Sequence, residues 1–186
     1  TAQAYRDSLK PGLHKVIGFA TRTQGLIVAP GNPLQLHSLQ DAARTRARFV
    51  QRSLGTGTRV LLDDLLIEEK LAFAALHNLP DDEPSHVALA EAIASGRCDV
   101  GLGIESTAKA KGLGFVPLIH EHFHLVCLKS ALDSPATQAL RHELQDAAWA
   151  QALNALPGYQ SDHSGEVQSL SGLLPWWTFK RAKKTG

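Results

Sequence analysis

The residues Arg52, Gly55, Thr56, Gly57, Thr58 and Arg59 stand together in the stretch RSLGTGTRVLLDDLL, between a short strand pattern and a leucine-rich helical one. These are the residue types of an anion-binding turn. The first turn of a helix carries unpaired backbone N–H groups and a partial positive charge, and glycine lets a ligand approach them. The hydroxyls of Thr56 and Thr58 add donors, and Arg52 and Arg59 add charge-assisted hydrogen bonds. Nucleotide hydrolysis of the phosphate-loop type is excluded, because that motif needs Lys followed by Ser or Thr after its last glycine, and here Thr58 and Arg59 follow Gly57. The same spacing also serves a plain helix cap, with Thr56 or Thr58 on the first N–H groups. The pattern leaves both readings open.

A second pattern, HEHFH, puts His120, His122 and His124 on one face of a strand by the two-residue period. Three imidazoles with a water complete a zinc coordination shell. Against this, Pro117 lies just upstream and Glu121 falls on the opposite face, so a half-buried strand face is the expectation and no metal or cofactor is assigned. Asp63-Asp64 and Asp81-Asp82-Glu83 read as a solvated helix face and a loop. No Ser-His-Asp or Cys-His arrangement can be argued from spacing, and the chain is not expected to be an enzyme.

Around these residues, Val16 to Ala20 and Gly25 to Ala29 read as two strands ended by the turn at Pro30–Pro33. Ser38 caps a short helix, RFVQR is a strand, and Leu61, Leu62, Leu65 and Leu66 recur at helical spacing from Arg59 to Glu69. NLPDDEPS reads as a loop whose Ser85 caps a helix from His86 to Ser95, with Val87, Ala90, Ile93 and Ala94 as its apolar stripe and Gly96 closing it. CDVGLGI is a strand, STAKAKG a short helix, and FVPLIHEHFHLVCL a strand region broken by Pro117. The segment from Ser134 to Leu156 reads as one long amphipathic helix. Strands alternating with helices imply an α/β protein with a largely parallel sheet.

The 186 residues are 44% hydrophobic, enough for one large core or two small lobes, and 19 Lys plus Arg nearly balance 18 Asp plus Glu. No overall field draws the chain to nucleic acid or membrane, so any DNA contact is expected through a domain outside it. The basic tail KRAKKTG reads as a solvated terminus, and PWWTF as aromatics packing onto the chain. No apolar run is long enough to span a membrane. Cys98 and Cys127 read as reduced core residues. The absence of methionine implies a piece of something longer.

TQGLIVAPGNP, RFVQRSLGTGTRVLLDDLL, SHVALAEAIASGRCDVGLGIESTAKAKGLGFVPL and LPGYQSDHSG, in that order from about Gln24 to Gly165, resemble the periplasmic-binding-protein-like domain associated with molybdate. That domain is attached to helix-turn-helix regulators and to some molybdenum-cofactor enzymes. The resemblance implies a type II periplasmic-binding-protein-like fold of two α/β lobes joined by crossing strands, Gly25–Ala29 and the return Val116–Leu128. Residues 1–33 and 116–186 would form a first lobe, incomplete at its N-terminus, and residues 34–115 a second lobe carrying the anion turn. It also implies a ligand set of Thr56, Gly57, Thr58, Arg59 and Arg52 at the turn, Ser85 and His86 at the next helix, Gln24 on the crossing strand and Glu105 near the hinge.

The function so implied is a cytoplasmic ligand-sensing domain of a transcriptional regulator, with molybdate or tungstate as ligand, no membrane partner, and a homodimer left open. The alternatives are the solute receptor of a molybdate or tungstate transporter and a regulatory domain of a cofactor-biosynthesis enzyme.

Overall fold

The computed structural model describes residues 8–174, and the PWWTF and KRAKKTG segments lie outside them. β1 (His14–Val28) is one strand of 15 residues where the sequence suggests two. The polar link Thr21–Gln24 continues it because threonine suits extended backbone and the side chains of Arg22, Thr23 and Gln24 all find partners. α1 (Leu39–Arg44) follows, with the Ser38 hydroxyl accepting the Asp41 N–H at 3.0 Å. Next come β2 (Arg48–Arg52), α2 (Gly57–Glu68) and β3 (His77–Glu83).

β3 replaces the expected NLPDDEPS loop. It lies at the end of the strand order and, among the described strands, pairs with β2 alone, so Pro80 breaks no ladder on both sides, and the register shifts between Phe49 and Gln51 opposite it. α3 (His86–Ala94), β4 (Val100–Ile104), α4 (Glu105–Ala110) and β5 (Gly114–Leu128) come next. Pro117 does not break β5, which ends the other side of that order, where a missing N–H is tolerated. The expected long helix is two, α5 (Pro135–Gln145) and α6 (Ala147–Asn154). Asp146 turns extended between them and accepts the Ala148 N–H at 2.6 Å. β6 (Tyr159–Ser161), β7 (Val167–Gln168) and α7 (Leu170–Leu173) complete the described chain.

The chain divides into two compact units. The first comprises Arg22–Glu121 with Leu156–Tyr159; the second comprises the segment ending at Thr21, His122–Ala155 and the segment from Gln160 on. β1 and β5 therefore each contribute to both, with the changeover at Thr21–Arg22 and Glu121–His122.

In the first unit the strands run β3-β2-β4-β1-β5. β2 is parallel to β3 and β4, but β1 is antiparallel to β4, from Gln24 opposite Ile104 to Val28 opposite Val100. The sheet is thus mixed. The alternation of strand side chains builds a core on each face. Leu26, Val28, Phe49, Val100 and Leu102 pack with the leucines of α1 and α2, and Ile27, Val50 and Cys98 pack with Leu89, Ala90, Ile93 and Ala108 of α3 and α4. Each large side chain so buried contributes about 1.5–3 kcal/mol. On α3 the buried stripe is Leu89, Ala90, Ala92 and Ile93; Val87, expected inside, is 49% exposed.

In the second unit, Val16 and Ile17 of β1 pair antiparallel with Gln168 and Val167 of β7. The rings of Phe19 and Trp149 meet at 5.7 Å. Cys98 is buried and its thiol is pushed up to about 11 by burial, whereas Cys127 is only half-buried; both are free thiols. No helix among the described residues is long and apolar enough to cross a membrane.

Candidate functional site

In the first unit, β2, β3 and β4 end side by side, and each is followed at once by a turn or a helix start. The carboxyl edge of such strands is where open α/β sheets place ligands. α2 begins after Gly55, whose φ of +85° is costly for a side-chain residue. Thr56 is its N-cap, accepting the Arg59 N–H at 3.3 Å and donating its hydroxyl to the Ser53 carbonyl at 2.8 Å. The cap reading of this turn therefore holds for Thr56. Gly57 opens onto free space, since a Cβ there would meet nothing within 4 Å.

Thr58 is buried, and its Oγ1 lies 3.4 Å from Nε2 of His86, the first residue of α3. Ser85 caps that helix by accepting the Ala88 N–H at 3.0 Å. Its hydroxyl is thereby engaged by the helix. β4 runs beside His86, and a Cβ at Gly103 would stand 3.6 Å from the imidazole Nδ1.

Arg52 ends β2 and is only 9% exposed. It donates Nε–H to the Glu83 carbonyl at 3.0 Å and a terminal N–H to the Pro84 carbonyl at 2.8 Å, tying the end of β2 to the start of α3. Burial, and then the nearby Arg22 charge, push its pKa down, yet guanidinium stays charged in proteins. Among the described residues no carboxylate pairs with it.

Arg22, on β1, stands in the same field. It donates Nε–H to Glu121 of β5 at 2.7 Å, forms an ion pair with the same carboxylate, and reaches Tyr159 Oη at 3.5 Å. Gln24, fully buried two residues along β1, donates its amide to the other Glu121 oxygen at 2.7 Å and leaves Oε1 without a protein partner. His86 Nδ1 is likewise buried and unpartnered. Burial first, then the Arg52 and Arg22 charges, push the His86 pKa down to about 4. The ring is therefore neutral near pH 7.

Two predicted ligands stand elsewhere. Arg59 does not flank the open turn: its guanidinium bonds to Gln51 and Asp63 and lies over the Phe73 ring at 4.4 Å, because α2 carries it toward the body of the unit. Glu105, first residue of α4, packs against Gly158, where a Cβ would come within 3.0 Å of its carboxylate. The grouping is thus Arg52, Thr58, His86 and the open backbone at Gly57, with Gln24 nearby on β1. The sequence reading missed Arg22 and Glu121, whose pairing joins residues 99 apart in the chain.

The histidine triplet separates. His120 Nδ1 lies 3.0 Å from the Thr23 hydroxyl in the first unit. In the second unit His122 Nδ1 lies 2.8 Å from Asp162, and its ring stacks on His124 at 6.3 Å. Among the described residues no group of three or more His, Cys, Asp or Glu is placed to hold a metal ion.

The depressed His86 pKa makes a pH prediction. Between about 6.5 and about 4 the unfolded chain binds a proton at His86 that the folded chain refuses, so stability falls as pH drops through that window and is full above it. The loss is on the order of 3 kcal/mol. Urea titrations from pH 7.5 to 4 on the wild type and His86→Asn are expected to show a shallower slope in the variant.

A first unit whose strand ends, helix starts and buried arginine face one open edge defines a ligand-binding α/β domain. The chain belongs to the family described as "PBP superfamily domain", whose profile matches residues 1–145. It is 31% identical over 152 residues to the uncharacterized protein YvgK of Bacillus subtilis (strain 168), covering 82% of this chain and 49% of YvgK. The chain thus spans about half the length of that relative. The type II periplasmic-binding-protein-like fold is shared with solved structures. The Synechocystis PCC6803 CcmR regulatory domain in complex with 2-PG aligns at a TM-score of 0.56, with 18% identity, over 69% of this chain and 64% of that one. The ancestral amino acid-binding protein AncCDT-1, a precursor of cyclohexadienyl dehydratase, aligns at 0.57, with 16% identity, over 84% and 64%.

Proposed function

We propose that the chain is the ligand-sensing domain of a transcriptional regulator, and that it takes a tetrahedral oxyanion, molybdate or tungstate, at the first turns of α2 and α3. The observation that carries the anion is Arg52: a nine-tenths buried arginine with no carboxylate partner among the described residues, whose charge acts on His86, which in turn touches Thr58. Two helix N-termini and a second arginine add to the same positive potential. The Gly57 N–H, the Thr58 hydroxyl, the His86 imidazole and the Arg52 fork are the donors offered. The ordered sequence motifs favour molybdate and tungstate among oxyanions. On this reading the chain carries out no reaction, works in the cytoplasm, and meets DNA only through a domain outside it.

The fold shared with AncCDT-1 favours one other reading, a solute receptor, which predicts a secretory leader in the gene where a regulator predicts a helix-turn-helix. Thermal unfolding with molybdate, tungstate, sulfate and phosphate at about 1 mM each tests the ligand. The midpoint is expected to rise with the first two alone, because a ligand that binds only the folded chain stabilises it by mass action. No rise with any of the four would refute the oxyanion reading.

A further inference from the structure

We infer that Glu121 is a built-in competitor of the ligand: its carboxylate occupies Arg22 and Gln24 and must release them for the anion to be fully held. The inference rests on the oxyanion reading and names the residue that sets its affinity.

Three observations carry it. Glu121 is the acidic partner of both Arg22 and Gln24, with one oxygen on each at 2.7 Å, so one carboxylate takes up a charged donor and an amide donor together. Arg22 is not a remote surface group: its charge acts on both Arg52 and His86, and its side chain is only 14% exposed. The two basic groups are treated unequally: among the described residues Arg22 is neutralised by a carboxylate, whereas Arg52 is held by carbonyls.

A dianion arriving at Arg52 brings a like charge toward Glu121 and an opposite charge toward Arg22. Both changes weaken the Glu121 contact in favour of the ligand. Once the carboxylate yields, the Gln24 amide, until then bound to Glu121, becomes a donor for the anion. Gln24, named from the sequence as a ligand, then serves only after Glu121 has moved. The cost of that release lowers the affinity of the wild-type site.

Position gives the exchange a consequence. Arg22 is the first residue of the first unit on β1, and Glu121 is its last on β5. The pair joins the two strands where each continues into the second unit, so its exchange for an external anion alters the tie at that point.

The test is isothermal titration of the wild type, Glu121→Gln and Glu121→Ala with molybdate, tungstate, sulfate and phosphate. Glu121→Gln keeps the size and loses the charge, and melting curves confirm that each variant is folded. Both variants are expected to bind the preferred anion about tenfold more tightly than the wild type, the equivalent of one moderately buried ion pair. Unchanged or weaker binding in both variants, with a wild type that binds, would overturn the inference and leave the oxyanion reading standing. Absence of binding in all three proteins would overturn both.

Discussion

Arg52→Ala is expected to weaken oxyanion binding about a hundredfold, roughly 3 kcal/mol, the usual cost of truncating one partner of a buried, hydrogen-bonded charge pair. The size follows from where the guanidinium stands. It is 9% exposed, so little water screens it, and no carboxylate among the described residues balances it. The substitution also deletes the bonds to the Glu83 and Pro84 carbonyls. Some loss of stability, about 1–3 kcal/mol, is therefore expected alongside. Arg52→Lys separates the two effects: it keeps a charge but lacks the planar fork, so binding is expected to recover only in part. Titration of both variants with molybdate and tungstate provides the measurement. Wild-type affinity in a folded Arg52→Ala would move the site away from the ends of β2 and β3.

The second large effect concerns the fold. Gly25→Ala is expected to destabilise the chain by about 3 kcal/mol, at the upper end of overpacking costs. A Cβ at Gly25 would stand 2.1 Å from the Val116 carbonyl oxygen and 2.9 Å from Pro117 Cα, both backbone atoms that no rotamer can move aside. β1 and β5 would have to part at the step next to Gln24. Chemical denaturation reads the loss directly, and a Gly25→Ala variant as stable as the wild type would show that the strands can spread there without cost.

Much of the first unit could be read before the structure, because the features concerned are local. Ser38, Thr56 and Ser85 each cap a helix as their sequence position suggests, and RFVQR forms β2 over its full length. What escaped was long-range. Pro80 and Pro117 look like strand breakers until neighbours show that each sits in a strand at an end of the order β3-β2-β4-β1-β5. Asp146 looks like an ordinary polar position in a long helix, yet its carboxylate starts a new one. At the site, the turn at Gly55–Thr58 was visible as a pattern, but the direction of Arg59 depended on Gln51, Asp63 and Phe73. Arg22 and Glu121 lie in stretches that read as strand alone, and only the adjacency of β1 and β5 makes them a pair.

The way β1 is shared has a consequence for birth on the ribosome. Ile17 pairs with Val167, and Val16 with Gln168. At roughly 5–20 residues per second, the partner strand emerges about 8–30 s after the first. During that interval Arg22–Glu121 is synthesised as one continuous stretch and can collapse, and β5 follows, while Val16 and Ile17, both nearly fully buried in the finished chain, still wait for β7 on their other side. A chaperone that shelters this short apolar segment until β7 emerges is expected to raise the yield of folded chain.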